Sequence, residues 1–143
     1  MYEPDFGEPI KELQVGLNVY RRLAREVTEY DEMDIVNDLA WRDGIKYSIE
    51  KLRDEMDVSD FLAEIKVLDE KVIAKIPYIQ EALDGYTVAD EYDVSHWWWY
   101  LDAIVADEVK IEFNEETEMY EGILWKVSSA GALPDYKIES RRF

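Results

Sequence analysis

The sequence contains no cysteine, one histidine, few basic residues and no long apolar run. Without cysteine, disulfide scaffolds, thiolate zinc sites, cysteine nucleophiles and cysteine-ligated iron–sulfur clusters are excluded. The single histidine, His96, excludes histidine-rich metal sites. The chain also lacks a P-loop, a glycine-rich dinucleotide motif, and the serine-hydrolase and zinc-protease motifs. These absences favour a protein without catalytic residues and without an organic cofactor.

Basic residues are also scarce: the chain has 34 acidic residues and only 16 basic ones, which gives a net charge of −18. Binding to nucleic acid or to an anionic membrane needs a basic surface, so neither partner is expected. The first nine residues resemble no secretory leader, and the uncharged run at 96–101 is far shorter than the roughly 20 residues of a membrane span. We expect a cytoplasmic protein.

The first 85 residues predict three long helices that pack as an antiparallel bundle, because apolar residues recur at spacings of three and four. The apolar faces consist of Leu13, Leu17, Tyr20, Ala24 and Val27 in the first helix, of Ile35, Leu39, Ile45, Ile49, Leu52 and Met56 in the second, and of Phe61, Ile65, Leu68, Val72, Ile76, Ile79 and Leu83 in the third. Arg42 and Lys46 interrupt the second face. Pro77 predicts a kink or a new short helix, and Gly85 predicts a helix end.

Residues 86–143 differ in character from the helical part. Ser95 is placed to cap a short Trp-rich helix, and residues 109–113 alternate apolar and charged side chains as a strand does. Residues 123–127 are a second, less regular strand candidate, which predicts a small β-hairpin whose loop is residues 114–122, ending in Gly122. The alternative is that residues 116–127 are helical. Residues 128–143 read as a loop or extended segment. The predicted fold is mainly α, with one domain over 1–143, a helical bundle at 1–85 and an acidic, Trp-rich C-terminal elaboration.

Acidic residues are concentrated between Asp84 and Glu121, where twelve carboxylates face Lys110 alone and the net charge is −11. Three interpretations are open. The segment can be a solvated surface, a surface that binds a basic protein (for example by imitating DNA), or a binding site for a hard cation such as Ca²⁺. The candidate metal ligands are Asp90, Glu91 and Asp93, with Asn114, Glu115, Glu116 and Glu118 as a second group. Neither group has the spacing of an EF-hand.

Four consecutive aromatic residues, Trp97 to Tyr100, precede most of this acidic segment. On an α-helix, neighbours point about 100° apart, so four in a row cannot all face one core. They can anchor the C-terminal part in the core, leave an aromatic contact surface exposed, as interface centres often do, or line a ligand pocket. His96, beside them, is expected to be a first-turn surface residue rather than a general base.

We therefore predict a non-enzymatic, acidic protein-interaction module. The predicted contact residues are Trp97, Trp98, Trp99, Tyr100, Glu108, Glu112, Glu115, Glu116 and Glu118. The alternative is a Ca²⁺-binding or Mg²⁺-binding protein. A third hypothesis is an α-helical, Mg²⁺-dependent hydrolase that uses the E-x-x-E pairs Glu26–Glu29 and Glu29–Glu32. The acidic series Asp31, Asp34 and Asp38 is assigned instead to the start of a helix, with Asp38 paired to Arg42.

Overall fold

The computed structural model describes residues 7–84, 86–87 and 89–125, and over these it is mainly helical with one small antiparallel sheet. The helices are α1 (Gly7–Glu26), α2 (Glu32–Leu52), α3 (Ser59–Ile73), α4 (Ile76–Leu83) and α5 (Leu101–Val105), and the strands are β1 (Val109–Asn114) and β2 (Met119–Leu124). The chain forms two compact units that divide between Val72 and Ile73. The change of composition near residue 85 thus falls inside the second unit.

The first unit contains α1, α2 and nearly all of α3, and α1 packs against α2. The apolar faces expected for these helices are buried, apart from a partly exposed Phe61 and Met56, which follows the end of α2 and is exposed. A 3₁₀ turn at Val27–Glu29 closes α1. The carboxylate of Asp31 caps α2 by accepting a hydrogen bond from the Asp34 amide at 2.9 Å. The apolar spacing therefore predicted the core of this unit well.

The gap that Arg42 leaves in the apolar face of α2 is filled by a buried polar network. Asp69 of α3 accepts hydrogen bonds from Arg42 Nε at 3.0 Å, from Arg42 Nη2 at 2.9 Å and from the Tyr20 hydroxyl at 2.6 Å. The expected pair between Asp38 and Arg42 is wrong, because Arg42 turns into the core and Asp38 lies 3.8 Å from Arg22 of α1. Lys46 is the second residue that interrupts the apolar face of α2, and it forms an ion pair with Glu50 four residues later on the same helix.

The second unit begins with α4, and Pro77 in its first turn confirms the expected start of a new short helix. Asp84 ends α4 in the left-handed conformation, while Gly85, the predicted helix end, lies outside the described residues, as does the segment 128–143. Gln80 of α4 donates a hydrogen bond to Asp102 of α5 at 2.8 Å. No described helix combines the length and the apolar character that a membrane crossing requires.

The β-hairpin is present, but its second strand begins earlier than predicted. Val109 pairs with Leu124 and Asn114 pairs with Met119, so β2 occupies residues that the sequence assigned to the loop. The loop itself is the four residues 115–118. Asn114 stabilises it, because its side-chain oxygen accepts hydrogen bonds from the amides of Glu116 and Thr117. These hydrogen bonds stabilise the turn, although the loop lacks the Asn-Gly pair that is common in tight hairpins.

Candidate functional site

The Trp-rich segment is not an exposed α-helix. Trp97–Trp99 form a single 3₁₀ turn, and α5 starts only at Leu101. Ser95 does not cap it, since its amide and hydroxyl both donate to Asp93 in a local turn. Trp97, Trp98, Trp99 and Tyr100 are all buried. The prediction that these four residues form a contact surface is therefore wrong, and they are core residues of the second unit.

Aromatic packing and hydrogen bonds fix the segment from several sides. Trp97 and Trp98 meet edge to face with ring centroids 5.5 Å apart, and the His96 ring lies 5.0 Å from Trp98. The Tyr100 hydroxyl donates to the carbonyl oxygen of Tyr92 at 2.6 Å, and the Thr87 hydroxyl donates to that of Trp99. A 3₁₀ turn spreads three consecutive side chains around its axis, so all three Trp are buried only because neighbouring chain surrounds the turn.

Part of that surrounding chain is the hairpin, which approaches the Trp segment at Gly122. A Cβ atom at position 122 would collide with the carbonyl oxygen of Val94 and would lie 3.2 Å from Trp97 Cβ. Only glycine allows β2 to come this close to the backbone before the Trp turn. The glycine that the sequence analysis assigned to a loop thus holds the hairpin against the aromatic core.

The acidic residues of the predicted contact surface fall into two groups. Glu112, Glu115, Glu116 and Glu118 are exposed on the hairpin and its loop. Glu108 is buried, with 1% of its surface accessible, and its Oε2 makes no hydrogen bond to any described residue. Its backbone takes part in the fold, since its amide donates to Ala103 and its carbonyl accepts from Trp125. The structure therefore keeps four of the five predicted glutamates at the surface.

The apolar part of the exposed hairpin surface was missed by the sequence analysis. Cross-strand pairing places Lys110 opposite Ile123 and Glu112 opposite Glu121, so these four side chains share the outer face. Ile123 is 43% and Trp125 is 47% exposed. The Lys110 ammonium lies 4.5 Å from the centre of the Trp125 ring, which places Trp125 on the same face. The alternation of apolar and charged residues in β1 could have identified this face, but only with the correct pairing of β1 and β2.

The metal candidates are not brought together by the structure. Asp90, Glu91 and Asp93 are exposed on a short 3₁₀ turn and the residues after it, and Asp93 accepts the two hydrogen bonds from Ser95. Among the described residues, no group of three or more His, Cys, Asp or Glu side chains could hold a metal ion. The same holds for the carboxylates of the E-x-x-E pairs, of which Glu26 accepts hydrogen bonds from Arg25.

Comparisons with protein-family models, with curated proteins and with solved structures found no match to this chain.

Proposed function

We propose that this protein is a non-enzymatic, acidic interaction module that binds a basic protein through the outer face of its hairpin. The observation that carries the proposal is the pair of exposed apolar side chains, Ile123 and Trp125, on a face that also carries Glu112 and Glu121. Protein interfaces commonly combine a few apolar or aromatic anchors with a charged rim.

The charge of the surrounding segment supports a basic partner. Residues 84–121 carry a net charge of −11, and the exposed Glu115, Glu116 and Glu118 form the tip of the hairpin. A field of one sign increases the rate at which an oppositely charged partner is encountered and rejects acidic partners. A nucleic-acid-binding protein is one partner of this kind, for which the acidic face would take the place of phosphates.

The apolar pair supports a specific contact over a merely solvated surface. Carboxylates alone would keep the chain soluble, but they do not require Ile123 and Trp125 at the surface. The Lys110 ammonium lies over the Trp125 ring, so the indole is held in place before a partner arrives. An anchor that is already ordered loses less conformational entropy on binding.

The proposal also includes a scaffold and a location. We propose that α1, α2 and α3 form an antiparallel bundle in the first unit. In support, Gly16 of α1 faces Ile45 of α2, while Arg22, further along α1, faces Asp38, which lies earlier in α2. We also propose that the protein and its partner are located in the cytoplasm.

The test is binding of the purified chain to a basic protein that is captured at about 50 mM NaCl and released at about 500 mM. Trp125→Ala should weaken binding to that protein by about 2 kcal/mol, as expected of an interface anchor. Trp41→Ala, at an exposed Trp in the first unit, is the matched control and should leave the affinity unchanged. Equal effects of both variants would refute the hairpin surface.

The contribution of charge needs a second pair of variants. Changing Glu115, Glu116 and Glu118 to Gln should slow association and reduce its dependence on salt. The control changes three exposed glutamates of the first unit, Glu12, Glu29 and Glu55, to Gln, which removes the same charge elsewhere. If both triple variants slow association equally, the net charge of the whole chain is what matters, and the proposed site on the hairpin is wrong.

A further inference from the structure

A polar pocket in the first unit is independent of the hairpin surface. It has a volume of about 360 Å³ and is lined by Arg22 and Glu26 of α1, Tyr30 between the helices, and Asp34 and Asp38 of α2. These residues are four apart throughout, so each helix contributes an i, i+4 pair from one face, and the connection adds the phenol. The volume is within the range of small-molecule sites.

The lining of this pocket is chemically unbalanced. Three carboxylates face one guanidinium, and Arg22 is 54% exposed at its side chain. Glu26 is partly neutralised from outside, because Arg25 donates a hydrogen bond to its Oε2 at 2.6 Å. The remaining excess of negative charge belongs to Asp34 and Asp38. An anion would be repelled here, whereas a cation would be attracted.

Asp38 is the group that points to a ligand. Its side chain is only 9% exposed, yet its Oδ2 makes no hydrogen bond to any described residue, and Arg22 Nη2 lies 3.8 Å away, too far for one. The buried hydroxyl of Tyr30 lies close enough to Asp38 and Arg22 to affect the pKa of both groups, yet it makes no well-aligned hydrogen bond to a described residue. A desolvated carboxylate is costly unless hydrogen-bond donors satisfy it. Neither Arg22 nor Tyr30 donates a well-aligned hydrogen bond to Asp38 Oδ2, so an added N–H donor would stabilise this oxygen.

We propose that this pocket binds an organic cation through its ammonium or guanidinium group. Such a group carries both the positive charge and the several N–H donors that Asp38, Tyr30 and Asp34 would accept. A divalent metal ion fits less well, because no described carboxylate group could hold a metal and the Arg22 guanidinium stands beside Asp38. The cation is either a free amine or guanidine, or a lysine or arginine side chain of another protein.

The test is an NMR titration of the full chain, with backbone amide shifts as the readout. The probes are n-butylammonium and n-butylguanidinium for a free cation, short blocked peptides with one lysine or one arginine for a side chain, and n-butanol as the uncharged control. We expect saturable shifts centred on residues 30–38 with the cations and none there with n-butanol. Saturation by the free cations indicates a small-molecule ligand, and saturation by the peptides alone indicates a protein side chain.

Three variants make the proposal refutable. Asp38→Asn should weaken binding at least about tenfold, the usual scale for losing a hydrogen bond to a charged group. Asp54→Asn, at an exposed aspartate away from the pocket, should not change it. Arg22→Gln should strengthen binding, because it removes the guanidinium that competes for Asp38, and a merely structural effect would not do this.

The opposite results are equally clear. Shifts spread over many acidic residues without saturation, or an affinity that Asp38→Asn leaves unchanged, would overturn the proposal. Thermal unfolding of each variant shows whether it is folded. If Asp38→Asn fails to fold, Tyr30→Phe and Arg22→Gln take its place: Tyr30→Phe should weaken binding several-fold, Arg22→Gln should strengthen it, and no change in either would refute the site.

Discussion

Each compact unit of this protein buries a carboxylate, but the two are treated in opposite ways. In the first unit Asp69 is inaccessible and accepts three hydrogen bonds, two of them from the guanidinium of Arg42. In the second unit Glu108 is almost as inaccessible, and its Oε2 has no hydrogen-bond partner among the described residues. The indole nitrogen of Trp97, in the same unit, is also buried without such a partner.

Two carboxylates that are buried to a similar extent can therefore contribute differently to stability, depending on their hydrogen-bond partners. Removing a charged group from water costs several kcal/mol, and only a well-placed opposite charge with hydrogen bonds offsets this. The Tyr20 hydroxyl completes the shell around Asp69, and burial together with the Asp69 charge raises the pKa of Tyr20 well above its ordinary value. The first unit thus makes its buried carboxylate part of a hydrogen-bonded network, whereas in the second unit one oxygen of the buried carboxylate has no such partner among the described residues.

The largest expected effect comes from breaking the compensated site. Asp69→Asn keeps the shape of the side chain but leaves the Arg42 charge buried and uncompensated, so the free energy of unfolding should fall by about 3–5 kcal/mol. Urea denaturation measures it. The double variant Arg42→Met with Asp69→Leu removes both charges and should recover most of the loss. A single variant as stable as the wild type would show that the pair contributes nothing.

Glu108→Gln should have a smaller effect of the opposite sign. The change keeps nearly the same volume and replaces a buried carboxylate, one oxygen of which has no hydrogen-bond partner among the described residues, with a neutral amide, so we expect the free energy of unfolding to rise by about 1 kcal/mol. Glu112→Gln, at an exposed glutamate four residues further along, should change it by less than about 0.5 kcal/mol. If Glu108→Gln destabilises the protein, the carboxylate has a partner and the contrast between the units disappears.

The sequence predicted the parts of this fold that depend on local spacing. The face from Leu13 to Val27 is buried as expected, and Pro77 lies in the first turn of a new helix because its ring removes one backbone hydrogen bond. The partner of Arg42 could not be predicted in the same way. Asp69 is 27 residues away on another helix, whereas Asp38 stands at the ordinary i, i+4 distance and is the local choice.

The candidate sites were predicted less completely for the same reason. Whether Trp98 is exposed depends on the chain that covers the 3₁₀ turn, and the approach of Gly122 that allows this covering is visible only in three dimensions. The exposure of Trp125 depends on the register of β1 with β2, which placed the second strand four residues earlier than its pattern suggested. The exposed glutamates of the hairpin loop were predictable, because a charged loop needs no tertiary partner to be at the surface.

Asp38 is intermediate between Asp69 and Glu108, because its charge is only partly compensated by Arg22. Its substitution should have the smallest effect on the free energy of unfolding. Burial raises its pKa above the ordinary value of 3.8, and the long ion pair with Arg22 offsets part of this rise. The folded protein therefore binds the proton more tightly than the unfolded chain does. Between the ordinary and the raised pKa, stability contributed at Asp38 falls as the pH rises, and above both values the full cost of the buried charge remains.

Asp38→Asn should remove this cost. Relative to the wild type, the variant should gain stability between about pH 3 and about pH 7, by less than about 1 kcal/mol because the ion pair is partly solvated. Urea denaturation of both proteins at the two pH values measures the difference, and Asp54→Asn controls for the lost charge. Glu64 provides the opposite sign: a hydrogen bond from Arg21 lowers its pKa, so its contribution is lost as the pH falls. If Glu64→Gln stabilises the protein at neutral pH, or Asp38→Asn destabilises it, then Glu64 is not better paired than Asp38, and the proposed ranking of these carboxylates is wrong.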